Sequence, residues 1–215
     1  GGPIMHAILT VAVLGLAVFF ERTYVVLSNS RGSDRAFIER LLQLARLGKT
    51  EEAARMCAEQ KSALTHIAEL VLRSPSRSES DLQNAADAAS IASLPSLTRR
   101  LHYLPMFANI ATLLGLLGTI FGLRESFASV ALVSAAERSG KLAGGIAIAL
   151  NATGFGLFVA IPLSVAHAWI SSRAEELIER ADELSVRLIN ALSEKPGERD
   201  MRQQHEPRVV RSAAG

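Results

Sequence analysis

The sequence predicts an all-α fold, a polytopic membrane protein with three transmembrane helices and a cytoplasmic helical domain. Three observations carry that expectation. Apolar residues make up 49% of the 215-residue chain, and they are clustered rather than spread. Three clusters lack any charge over long runs: 17 residues from Ile4 to Phe20, 20 from Leu104 to Leu123 and 29 from Leu142 to Ile170. A helix rises about 1.5 Å per residue and the hydrocarbon core is roughly 30 Å thick, so each run, the first carried on to Leu27, crosses it. Finally, no segment shows the strict apolar–polar alternation of a half-buried strand.

The first run reads as a span and not as a cleaved leader. Gly1, Gly2 and Pro3 supply no basic region before it, and Glu21-Arg22-Thr23-Tyr24 follows where a small-residue cleavage site is needed. The chain opens without Met, so a few native residues are expected before Gly1. Lys and Arg counts orient the spans: 11 lie between Ser28 and Arg100, eight follow Ile170, three (Arg124, Arg138, Lys141) fall between the second and third runs, and none precedes the first. Positive charge stays on the cytoplasmic side, which predicts an outside N-terminus and a cytoplasmic C-terminus. The expected organisation is a first transmembrane helix (1–27), a cytoplasmic helical insertion (28–100), a second transmembrane helix (101–127), a periplasmic connection (128–141), a third transmembrane helix (142–170), a cytoplasmic helix continuing it (171–193) and a disordered tail (194–215).

Within the insertion, Ser33-Asp34 is a cap candidate before Phe37, Ile38, Leu41, Leu42 and Ala45, and Gly48 stops that helix. A second helix opens at Thr50 with Glu51 and Glu52 at the positive end of its dipole. A third covers Leu64 to Leu72 and ends near Ser74-Pro75, a fourth opens at Asp81, and the chain from Leu97 is expected to run straight on through Pro105. After the third span, Leu177, Ile178, Leu184, Leu188 and Ile189 form an apolar stripe among charged residues, the pattern of a helix packed on one face.

Composition excludes several functions. Twenty-three Lys and Arg against 21 Asp and Glu leave a net charge of +2, without the basic excess of a nucleic-acid binder. The single cysteine, Cys57, rules out an intrachain disulfide framework and a multi-cysteine metal site, and it reads as a small core residue. No cofactor or metal is implied. Gly48-Lys49-Thr50 is not a phosphate loop, because position 43 is Gln where the motif needs Gly. Asn151-Ala152-Thr153 matches a glycosylation sequon inside an apolar span, where no transferase reaches. Ser164 and His167 share a helical face but lack a nucleophile motif, so neither an intramembrane hydrolase nor any other enzyme is expected.

The informative feature is the small and hydroxyl content of the inner two spans. At 100° per residue Thr112, Gly115, Thr119 and Gly122 fall on one face, and Thr153, Gly156, Ala160, Ser164 and His167 do so on the third span. Such stripes allow close helix packing. They also suit the wall of a lumen, which three helices alone cannot enclose, so that reading needs a homo-oligomer.

The segment Ala111-Thr112-Leu113-Leu114-Gly115-Leu116-Leu117-Gly118-Thr119-Ile120-Phe121-Gly122-Leu123-Arg124-Glu125-Ser126-Phe127 resembles the glycine-threonine signature of the MotA/TolQ/ExbB proton-channel family. Gly145-Ile146-Ala147, Ala149-Leu150, Ala152-Thr153, Gly156 and Ala160-Ile161-Pro162 are similar to the signature of its third helix, and Glu21-Arg22 has the family's look. The resemblance implies a homo-oligomer, a pentamer, in the bacterial inner membrane, with a periplasmic N-terminus. It also implies a single-span partner resembling ExbD, TolR or MotB, whose aspartate takes up and releases the proton, and conversion of proton-motive force into mechanical work. It assigns Thr119 and Thr153 to the proton path; Thr112 and Asn151, the latter where the TolQ and ExbB branch is usually apolar, are expected to line the same lumen, and Gly115, Gly118, Gly122, Gly145, Gly156 and Pro162 are expected to serve helix packing. One departure stands out: where the TolQ and ExbB branch commonly has glutamate this chain has Ile148, so none of the uncharged runs holds a carboxylate and the acid must come from the partner. The rival expectation is a passive oligomeric membrane scaffold that recruits other proteins. A solute transporter would show inverted repeats, which three spans and one insertion do not.

Overall fold

The computed structural model describes residues 3–30, 34–60 and 62–193, so Ser33 and the tail 194–215 lie outside the described residues. These residues form helices and connections, with no strand among them. In chain order the helices are α1 (Pro3–Asn29), α2 (Arg35–Arg46), α3 (Thr50–Ala58), α4 (Ala63–Leu72), α5 (Glu79–Ser93), the short α6 (Pro95–Thr98), α7 (Tyr103–Val130) and α8 (Arg138–Ser193). α1, α7 and α8 each contain a stretch long and apolar enough to cross a membrane. The chain forms two compact units, Gly1–Leu27 with Thr98–Glu175, and Ser28–Leu97 with Glu176–Gly215.

In the first unit small residues supply much of the buried faces of α7 and α8. α7 buries Leu104, Ala108, Ala111, Gly115 and Gly118, which recur at steps of three and four, and Ser126 two turns further on. α8 buries Ala149, Gly156, Val159, Ala160, Leu163, Ile170 and Ala174. Large apolar side chains point outward, among them Phe20, Leu113, Ile120, Phe158 and Val165. That inversion of the water-soluble pattern is what a hydrocarbon solvent requires.

The chain turns before α7 instead of running straight from Leu97 through Pro105. Arg100 takes φ 65°, a left-handed conformation unusual for a residue with a Cβ. Two contacts with α1 hold this turn: the Arg100 guanidinium pairs with the Glu21 carboxylate at 2.7 Å, and the buried Arg22 guanidinium donates to the Arg99 carbonyl. Pro105 then falls in the first turn of α7, where its missing N–H costs no helix bond.

The second unit packs in the ordinary way. Leu41, Ile67, Val71, Leu82, Leu184 and Leu188 are buried in one apolar cluster together with Cys57. α2 ends on Gly48 at φ 75°, where Gly48 N–H donates to Ala45 O at 3.1 Å and Lys49 N–H to Leu44 O at 3.0 Å. This is a helix-ending Schellman motif, which explains Gly48 without any phosphate chemistry. α4 begins with a reciprocal cap, Thr65 N–H on Ser62 Oγ at 3.2 Å and Ser62 N–H on Thr65 Oγ1 at 3.3 Å. The end of α8 carries Glu176–Arg180 and Glu183–Arg187 pairs, each at 2.6 Å and one turn apart.

Candidate functional site

α7 and α8 run antiparallel and meet backbone to backbone. A Cβ on Gly156 would lie 2.7 Å from the Ala111 carbonyl oxygen and 3.0 Å from Gly115 Cα. One on Gly115 would sit 3.2 Å from Ala152 O, Thr153 Cα and Gly156 Cα. Further along, a Cβ on Gly118 would lie 2.6 Å from Ala152 Cβ and one on Gly122 2.8 Å from Ala149 Cβ, and Gly145 faces the Ser126 side chain too closely for any added methyl. As the α7 residue advances from Gly115 to Ser126, the α8 residue opposite falls from Gly156 to Gly145, so the contact is one continuous seam. Gly118 also meets Ile4 of α1, and Gly15 of α1 meets the Leu163 side chain.

The hydroxyls flank this seam. Thr153 Oγ1 donates to the Gly115 carbonyl at 2.9 Å, crossing from α8 to α7. Thr119 Oγ1 donates to Leu116 O at 2.6 Å and Thr112 Oγ1 to Ala108 O at 3.0 Å, both within their own helix. All three threonines are half-buried. At 100° per residue Thr112 and Thr119 lie on one flank of the α7 seam and Thr153 on one flank of the α8 seam, and antiparallel packing brings these flanks to the same side of the pair. Each hydroxyl proton is committed to a carbonyl, which leaves the oxygen lone pairs able to accept. On that side the pair therefore presents hydrogen-bond acceptors without charge.

Asn151 stands elsewhere. It is two residues from Thr153, about 160° around the helix, and is exposed, as are Ile148 and Pro162. Pro162 lies inside α8, which continues through it as one 56-residue helix. Ser164 donates to Ala160 O at 2.9 Å, and His167 Nδ1 is 3.4 Å from Ser171 Oγ, so the Ser164–His167 pairing does not form. Among the described residues no cluster of His, Cys, Asp and Glu could hold a metal ion.

Counting uncharged residues misses Glu125. The second run stops at Arg124, but α7 continues to Val130 and carries Glu125 to a cavity on the flank opposite the threonines, shared with Ile148. A charge ends a hydropathy run without ending a helix; helical spacing continued past Leu123 is the signal that would have found it.

The MotA/TolQ/ExbB proton channel family matches residues 49–183. An ExbB homolog, a biopolymer transport protein of Methanothermobacter thermautotrophicus, is 27% identical over 182 residues, which cover 85% of this chain and 64% of that protein. The biopolymer transport protein ExbB-like 3 of Synechocystis sp. is 32% identical over 163 residues, 75% of this chain and 77% of its own length. The Tol-Pal system protein TolQ of Pseudomonas aeruginosa is 40% identical over 84 residues, 39% of this chain and 36% of TolQ.

Proposed function

The chain belongs to the MotA/TolQ/ExbB proton channel family, and on that premise we propose that it is the stator-type subunit of an inner-membrane motor. Several copies, a pentamer by family resemblance, surround the transmembrane helix of a single-span partner of the ExbD, TolR or MotB kind. The N-terminus is periplasmic and the C-terminus cytoplasmic. Protons moving down the electrochemical gradient are taken up and released by an aspartate of the partner, and the resulting relative movement does mechanical work. One charge crossing 100 mV releases about 2.3 kcal/mol, enough to bias a conformational step.

The observation that supports this most is the chemistry of the seam, which the family match spans. Thr119 and Thr153 place acceptor oxygens on one side of a rigid glycine-packed pair, and Thr112 extends the row. A protonated carboxyl on the partner would donate to such oxygens, and an ionised one would not, so the row distinguishes the two states without titrating itself. Gly115, Gly118, Gly122, Gly145 and Gly156 hold the wall, while exposed Asn151 and Pro162 lie on the far side of α8 from Thr153 and take no part in the row. Replacing Thr153 with Val should lower proton-driven output while the oligomer still assembles, and Thr153→Ser should restore it. Full output from Thr153→Val would overturn the role.

The passive scaffold has one observation in its favour, since the Thr153 hydroxyl also serves packing through the Gly115 carbonyl. A stable oligomer that purifies without a single-span protein, from an operon encoding none, would select it.

A further inference from the structure

Where α7 and α8 approach their connection, at 131–137, they line a cavity of about 400 Å³. Its acid is Glu125 from α7, its base is Lys141 from α8, and Ser126 and Ser129 add hydroxyl oxygens. Part of its floor is bare backbone, because a Cβ on Gly140 or Gly144 would meet nothing within 4 Å. Glu125 and Lys141 share this space, yet among the described residues neither side chain pairs with the other or with anything else. Arg124 is turned away over the Phe121 ring, 6.0 Å from its centroid, and Arg138 Nε is directed to Val133 O. The serine protons are used on carbonyls, Ser126 on Leu142 O at 3.4 Å and Ser129 on Ser126 O at 2.8 Å.

The cavity sits where both uncharged runs end, between Leu123 and Leu142, at the depth of the lipid headgroups. Exposed Ile148 gives its lining an apolar member. A cavity lined by one carboxylate, one ammonium not paired with it, and neutral hydroxyl oxygens is complementary to a zwitterion. At this depth the zwitterion within reach is a phospholipid headgroup with a primary amine. We infer that the cavity between Glu125 and Lys141 binds the headgroup of a phosphoethanolamine lipid, the lipid ammonium donating to the Glu125 carboxylate and Lys141 donating to the phosphate. The inference needs the membrane span but not the motor, so its failure leaves the proton reading untouched.

The test is native mass spectrometry of the full-length delipidated oligomer titrated with phosphatidylethanolamine, with phosphatidylglycerol, and with free phosphoethanolamine. Wild type should prefer phosphatidylethanolamine to phosphatidylglycerol. Loss of one charge-assisted contact in Glu125→Gln should cut phosphatidylethanolamine binding about tenfold and leave phosphatidylglycerol unchanged. Lys141→Gln should weaken both lipids. Equal binding of the two lipids by wild type, an unchanged preference in Glu125→Gln, or free phosphoethanolamine binding as tightly as the lipid would each overturn the site. So would an oligomer in which a neighbouring copy fills the cavity and no lipid is retained. Glu125→Asp, which keeps the charge, must preserve the preference; its loss there would also count against the pairing.

Discussion

The two units of this chain solve the packing problem with opposite materials. Ser28–Leu97 with Glu176–Gly215 buries a cluster rich in Leu and Ile, whereas Gly1–Leu27 with Thr98–Glu175 brings α7 and α8 together on Gly, Ala and Ser and leaves many large apolar side chains exposed, with Ile8, Leu104, Leu163 and Ile170 among its large buried ones. In water, area removed from solvent drives association at roughly 25 cal/mol per Å². In hydrocarbon that force is missing, and helices adhere through close backbone approach and cross-helix hydrogen bonds. The Thr153–Gly115 bond and the Gly115/Gly156 contact are of that second kind. One sequence thus reads under two solvent rules, and the rule changes within α8 itself.

The contrast breaks most sharply at Leu188, which is fully buried in the helical unit. Leu188→Ala should cost about 2–5 kcal/mol, read as a lowered unfolding transition of the full chain. A glycine-packed seam responds in the other direction of size. Gly156→Ala drives a methyl against the Ala111 carbonyl and should cost about 1–3 kcal/mol, with loss of oligomer in mild detergent as the readout. Gly154, two residues away on the same helix, has open space at its Cβ position, so Gly154→Ala should be neutral or stabilise by up to about 1 kcal/mol. Equal losses at Gly156 and Gly154 would remove the seam from the explanation.

At Cys57 the effect is silent at neutral pH and appears only in alkali. Burial, with a lesser contribution from Glu69, pushes its thiol from 9.0 up to about 12. The folded state therefore keeps its proton where the unfolded chain has lost it. Its share of stability is full below pH 9 and declines as pH rises from 9 towards 12. Melting curves of wild type and Cys57→Ala should differ by a constant amount up to pH 9, and the difference should shrink above it. At neutral pH, thiol reagents should label Cys57 only after unfolding.

Much of this was legible from residues alone. Long uncharged runs announce α1, α7 and α8 because no water-soluble helix needs them, and the Gly115/Gly118/Gly122 spacing already marks a face for close approach. The cap at Gly48 is equally plain. Two features were not readable, each because it depends on a partner distant in sequence. Arg100 adopts a left-handed φ that its side chain does not favour, and the turn becomes intelligible only with Glu21 and Arg22 of α1 beside it. The acceptor for Thr153 is a backbone carbonyl 38 residues away, which no pattern of side chains reveals. Glu125 is a third case of another kind: it lay inside the expected 101–127 helix, and only the count of uncharged residues, ending at Leu123, passed it over.

The backbone contact between Gly115 and Gly156 also limits how this protein can vary. A leucine in the helical unit has neighbours in sequence space of similar volume, so drift there can be gradual and compensated. Glycine has none: every missense change at Gly156 adds atoms where the opposing chain leaves no room, and no partner residue can shrink below a bare backbone to make way. Variation along this seam is therefore one-sided, and recovery from a mutation there must come by reversion or by moving a whole helix.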